Sequence, residues 1–149
     1  MQAMPEKGVL AFDFGEKRIG VAVGDTAVGI AHPLATIRET SNERRFAAIE
    51  RLVSEWRPGR LVVGLPFHMD GTEHELTRLA RKFAQRLHAR FKLPVVFEDE
   101  RLSSAIAESR LAEGGVKRDE RKRLIDEAAA REILQSHFDS GRGHSPDKV

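Results

Sequence analysis

The residues best suited to chemistry in this chain are carboxylates placed where apolar runs stop. Asp13 ends the run Val9-Leu10-Ala11-Phe12, Glu98-Asp99-Glu100 follows Pro94-Val95-Val96-Phe97, and Asp126 opens a helical pattern completed by Ala129, Ala130, Ile133 and Leu134. Those four positions stand three, four, seven and eight residues after Asp126, which puts the acid on the packed face. A carboxylate in such a place is costly to bury unless a cation or hydrogen-bond donors compensate it. Acids brought together repel one another, and a hard divalent cation such as Mg²⁺ or Mn²⁺ cancels that repulsion while taking oxygen ligands. Such a site activates water and stabilises a phosphodiester transition state, most effectively with two metals about 4 Å apart. Each acid also has a plainer reading: Asp13 satisfies turn amides at a sheet edge, and Asp126 is favoured at a helix N-terminus by the dipole.

Cations supply the second clue. Arg78, Arg81, Lys82, Arg86, Arg90 and Lys92 fill the stretch from Leu76 to Phe97 with no acid among them, a basic face on one helix. Lys117, Arg118, Arg121, Lys122 and Arg123 precede Asp126, and Lys17 with Arg18 follows Asp13. These positions offer contact with a phosphate backbone, the alternative being a solvated surface. Aromatic residues are few and tyrosine is absent, so recognition of backbone or shape is expected rather than base stacking. No pair of histidines has metal-ligand spacing on a helix face. His68, beside Met69-Asp70-Gly71, is the one histidine in a motif loop, and no catalytic histidine is expected.

The elements that must position these groups follow from periodicity. Val9 to Phe14 and Ile19 to Gly24 alternate as strands about a turn at Gly15 to Arg18, and Val28 to Ile37 continues the β character with Pro33 at an edge or bend. Thr40 and Glu43 have capping-box spacing before a helix whose stripe is Phe46, Ile49, Leu52, Val53 and Trp56, so Trp56 is expected in the core. Arg60 to Pro66 is apolar on both faces, as in a parallel strand. Thr72 and Glu75 repeat the capping spacing before a second helix carrying Leu76, Leu79, Ala80, Phe83, Leu87 and Phe91. A strand from Pro94 then runs into the acids. Leu102 to Glu113 reads as helix with a stop at Gly114-Gly115, Val116 to Arg123 as a mobile basic loop, and Leu124 to Phe138 as the last helix. The order predicts an α/β domain over 1–138, a mixed sheet with helices packed on it, followed by a disordered tail over 139–149. Sites in such sheets gather where parallel strands end, which is where the acids stand.

At 149 residues the chain is long enough for one well-buried core, and without cysteine it has neither disulfides nor thiol chemistry. No apolar run approaches the roughly 20 residues that span a bilayer, and no leader-like segment opens the chain, so a cytoplasmic protein with no membrane partner is expected. A net charge of +2 is too small to argue a polyanion partner alone, although a pI near 9.2 leans that way.

Taken in order, Asp13-Phe14-Gly15 with Lys17-Arg18-Ile19-Gly20, Val63-Gly64-Leu65-Pro66 with Met69-Asp70-Gly71, Asp99-Glu100-Arg101-Leu102-Ser103, and Asp126 with Ala129-Ala130 and Ile133-Leu134 resemble the motifs of the YqgF/RuvX family. The resemblance implies an RNase H-like fold, with three antiparallel strands extended by two parallel ones. It also implies a metal-dependent nuclease related to Holliday junction resolvases, whose bacterial members are linked to 5′-end maturation of pre-16S rRNA. Asp13, Glu100 and Asp126 match the family's acidic triad. Asp99 is the adjacent alternative to Glu100, since strand alternation sends the two to opposite faces. The junction resolvases carry a fourth acid near the last one, and here Glu127 falls on a different face. Substrates compatible with this reading are pre-rRNA, within the small-subunit precursor, or branched DNA. A non-catalytic RNA-binding assembly factor is an alternative. The phosphate-binding hairpin of actin-like ATPases is another, although those proteins need a second lobe.

Overall fold

The computed structural model describes residues 8–68, 70–100 and 118–140, with the backbone alone for 118–124. Strands β1 (Gly8–Phe14) and β2 (Ile19–Asp25) pair antiparallel about the expected turn, which sets Asp13 opposite Gly20. Strand β3 (Ile30–Ile37) adds antiparallel to β2, with a register irregularity beside Pro33 on this edge strand. Strands β4 (Arg60–Leu65) and β5 (Val95–Asp99) join in parallel, giving a five-stranded sheet in the order β3-β2-β1-β4-β5.

Alternation along each strand gives the sheet two unlike faces. On one, Leu10, Phe12, Ile19, Val21, Leu61, Val63 and Phe97 meet Phe46 and Ile49 of helix α1 (Asn42–Trp56) and Ala80, Phe83 and Leu87 of helix α2 (Glu75–Phe91). Phe83 is the hub of that face, in ring contact with Phe12, Phe14 and Phe46. On the other, Val9, Ala11, Ala22, Ala31, Val62 and Val96 meet Ala130, Ile133 and Leu134 of helix α3 (Arg118–Ser140). Gln135 fastens α3 to the β2–β3 turn, accepting from Ala31 N at 3.0 Å and donating to Gly29 O at 2.9 Å.

The helix boundaries depart from the sequence reading in several places. Ser41, not Thr40, caps α1: its extended backbone lets Oγ accept from Arg44 N at 3.2 Å. His74 caps α2 through Nδ1, which accepts from Leu76 N at 3.1 Å, while Thr72 is held by Asp70 in the preceding turn. Trp56 is 43% exposed rather than in the core, because the last turn of α1 overhangs the Gly8 end of the sheet above Val28, Ile30 and Leu34. Helix α3 starts at Arg118, so Arg118, Arg121, Lys122 and Arg123 belong to a helix and not to a loop. Arginine, lysine and glutamate are good helix formers, and such a run extends a helix without any apolar periodicity. The expected helix from Leu102 to Glu113 lies outside the described residues, as does the expected tail from 141 onward, while Asp139 and Ser140, expected in that tail, form the end of α3. Among the described residues no helix is long and apolar enough to cross a membrane.

Candidate active site

Three acids lie on the small-residue face toward one end of the sheet, and glycines make room for them. Asp13 follows Val9 and Ala11 in the alternation of β1 and so points to the side of α3. Its partner Gly20 is where α3 comes down onto β2: a Cβ at Gly20 would collide with the Asp126 carbonyl oxygen and lie 3.2 Å from Asp126 Cα. Val96 and Glu98 carry the same parity along β5, and Glu100 continues it just past the strand end, its N–H donating to Leu65 O at 3.1 Å. Gly64, opposite Glu98 on β4, leaves the space Glu100 uses. A Cβ there would collide with Glu100 Oε2 and approach Ile133 Cδ1 to 2.5 Å. Asp99 has the opposite parity and is exposed, so the local geometry favours Glu100 over its neighbour as Asp13's companion.

The electrostatics follow from burial. Asp13 and Glu100 share a hydrogen bond between carboxyls. Burial pushes Asp13 up to about 6; the Glu100 hydrogen bond opposes that rise and the Asp126 charge adds to it. Burial pushes Glu100 up to about 10, reinforced by the Asp13 charge, the shared hydrogen bond and the Asp99 charge. Both carboxyls are thus biased toward the protonated form, Glu100 the more strongly. Asp126 is compensated differently, by Arg18, whose Nε lies 2.8 Å from Oδ2. The angle is not that of a hydrogen bond, and this buried oxygen receives none. Asp126 also stands more than two turns inside α3, since that helix begins at Arg118, and a dipole effect confined to the first turn does not account for it.

As placed, the acids do not close into one cage: among the described residues no group of three His, Cys, Asp or Glu is arranged to hold an ion. Their chemistry nevertheless fits a hard divalent cation. The donors are all carboxylate oxygens, one of them buried without a donor, and a glycine opens the space beside a second.

Arg45 is a buried residue that sequence reasoning missed. Its guanidinium donates to Glu39 O at 2.7 Å, to Gly15 O at 2.9 Å and to Glu16 O, and it stacks on Phe14, so it ties the β1–β2 turn to α1. Its type gives no hint of this, because basic residues of α1 usually face water. The turn presents Lys17 and Arg18 at the surface beside the acids. The basic face of α2 is partly neutralised: Arg78 pairs with Glu75, Arg81 with Glu73 at 3.1 Å, and Arg90 with Glu50 of α1 at 3.1 Å. Arg81 also lies over the Phe97 ring, whereas Lys82 is exposed. His68 packs its ring at a tilt against that of His74. Lys117 lies outside the described residues, as do the side chains of Arg118, Arg121, Lys122 and Arg123. Glu127 turns to β3 and accepts from Thr36 Oγ1 at 3.0 Å, so it is no fourth acid of the cluster.

A mixed sheet of this order, with two helices on one face and one crossing the other, is an RNase H-like fold. The family model described as "RuvX: Holliday junction resolvase" matches residues 7–140, and the chain belongs to the RuvX family, which makes it a nuclease by class. It is 55% identical over 141 residues to a Neisseria gonorrhoeae protein named "Putative pre-16S rRNA nuclease", covering 95% of this chain and 93% of that one. A Dechloromonas aromatica protein of the same name is 62% identical over 132 residues, covering 89% and 90%. Among solved structures, Thermus thermophilus RuvC in complex with a Holliday junction substrate is similar with a TM-score of 0.58 at 19% identity, covering 97% of this chain and 100% of that one. Fowlpox virus resolvase, in a complex with Holliday junction DNA, has a TM-score of 0.54 at 12% identity, covering 89% and 97%. These two likenesses bear on the fold alone.

Proposed function

We propose that this chain is a Mg²⁺- or Mn²⁺-dependent endonuclease acting on RNA in the 5′-end processing of the 16S rRNA precursor, in the cytoplasm and on the small-subunit precursor. The observation that carries the reading is the placement of Asp13, Glu100 and Asp126 at one end of the sheet, where Gly20 lets the Asp126 backbone down onto β2, Gly64 leaves room for Glu100, and Arg18 faces Asp126. These three carboxylates would hold the cation, which when bound supplies an activated water and charge stabilisation at the scissile phosphate. The chain's own residues do the rest. With the cation bound, the proton held between Glu100 and Asp13 would pass to solvent, leaving both carboxylates as anionic ligands. The Arg45-clamped turn keeps Lys17 and Arg18 beside the acids, where they bind backbone phosphates and align the scissile group. Arg118, Arg121, Lys122 and Arg123, with Lys117 ahead of them, form the approach along α3, and Arg81 and Lys82 extend the track onto α2.

RNA is favoured over branched DNA by the names of the relatives and by Glu127, which is engaged with Thr36 and supplies no fourth acid. Incubating the purified protein with a pre-16S 5′-leader RNA and with a four-way DNA junction, each in Mg²⁺, Mn²⁺ or EDTA, tests the proposal. Metal-dependent cleavage of the leader is expected. Cleavage of the junction alone would make it a resolvase, and RNA binding without cleavage in any metal would make it an assembly factor.

A further inference from the structure

We propose that Arg18 is the resident counter-charge of the acid site and changes partner during the reaction, holding Asp126 until a divalent cation takes that carboxylate and then moving onto a backbone phosphate. This rests on the metal-dependent reading of the site. Asp126 is met by an arginine from a different element, Arg18 of the β1–β2 turn. The Arg18 backbone cannot leave. Arg45 holds Gly15 O and Glu16 O, and a Cβ at Gly15 would stand 2.6 Å from Arg18 O, so the turn is tightly closed. Its side chain can leave, because it is 50% exposed where that of Asp126 is only 18% exposed, and the ion pair at 2.8 Å lacks hydrogen-bond alignment. A partly solvated ion pair of this kind is weakly held. The planar guanidinium also matches a phosphate better than it matches a carboxylate offered at a poor angle.

The consequence is competition followed by cooperation. In the free protein Arg18 and a cation compete for Asp126, which holds metal affinity down. With substrate present a phosphate takes Arg18 away, so metal and nucleic acid each strengthen the binding of the other, and by the same factor.

Mn²⁺ binding by calorimetry and binding of a fluorescein-labelled phosphorothioate leader RNA, on the full chain, test this. Arg18→Ala is expected to raise Mn²⁺ affinity of the free protein about two- to fivefold. In Mn²⁺ it should weaken RNA binding about three- to tenfold and lower the salt slope by about one, with little change in EDTA. Effects of opposite sign on the two ligands are what a merely structural role would not give. Lys17→Ala, on the same turn, should leave Mn²⁺ affinity unchanged, and Arg18→Gln repeats the test should Arg18→Ala melt at a lower temperature. Unchanged or weaker Mn²⁺ binding in both Arg18 variants would overturn the exchange while leaving the metal site standing. A wild-type protein that binds no Mn²⁺, or whose binding survives Asp13→Asn, would remove the metal reading and the exchange with it.

Discussion

The two faces of this sheet are built by the same strands from residues of different size, and the difference separates stability from chemistry. On the face toward α1 and α2, β1 and β2 present Leu10, Phe12, Ile19 and Val21, which interlock with Phe46 and Phe83. On the face toward α3 the same strands present Ala11, Asp13, Gly20 and Ala22. Bulk on the first face buries apolar area. Its absence on the second lets a helix backbone come close enough to bring Asp126 to the end of the strand that carries Asp13. A close-packed interior tolerates neither an added methyl nor a removed one well, so each face is sensitive, but in a different observable.

That contrast can be broken at chosen positions. Phe12→Ala, on the bulky face, should cost about 3–5 kcal/mol of stability by denaturant unfolding while preserving cleavage per folded molecule. Asp13→Asn should do the reverse, lowering metal-dependent cleavage of a leader RNA at least about a hundredfold in a single-turnover assay. Its melting temperature should be unchanged or higher, because a buried, repelled charge is gone. Gly20→Ala should lose both together, about 1–3 kcal/mol of stability from overpacking against the α3 backbone and most of the activity through displacement of Asp126. Retained activity in that variant would mean that the close approach does not set the site.

The same contrast predicts a dependence on pH. The raised values, about 6 for Asp13 and about 10 for Glu100 against ordinary values of 3.8 and 4.5, mean that the folded protein binds more protons than the unfolded chain above about pH 4. Stability contributed by these groups is fully present below their unfolded values and is lost as pH rises, for Asp13 by about 6 and for Glu100 progressively toward about 10. Melting temperature without added metal should therefore decline from acid to neutral pH. Glu100→Gln should remove the part of the decline above pH 6, and an identical profile in that variant would contradict the shared-proton account.

Much of this was legible in the residues. The period-two alternation of β1 and β2 marked the hairpin and singled out Asp13, and the apolar run from Arg60 marked a parallel strand, because those signals are local. Trp56 misled because a helical stripe says which side faces inward and not how far the sheet beneath it extends. The start of α3 was hidden because the charged residues from Arg118 propagate a helix with no apolar period to reveal it. Capping by Ser41 and His74 turned on backbone angles that a four-residue spacing does not specify. The neutralising partners of α2 come from before the helix's basic stretch, Glu73 and Glu75, and from another helix, Glu50. The alternation of Ala11, Gly20, Ala22 and Gly64 was visible in the sequence, but its meaning, room for a helix and for a carboxylate, is a tertiary fact.

Calorimetric titration of Mn²⁺ into the wild-type protein, into Asp13→Asn, Glu100→Gln and Asp126→Asn, and into the double substitutions tests most directly whether the small-residue face assembles one metal centre. One shared centre predicts that each single change weakens binding at least about tenfold and that each double loses far less than the sum of its singles. Normal Mn²⁺ binding by Asp126→Asn, or strictly additive losses in the doubles, would contradict it.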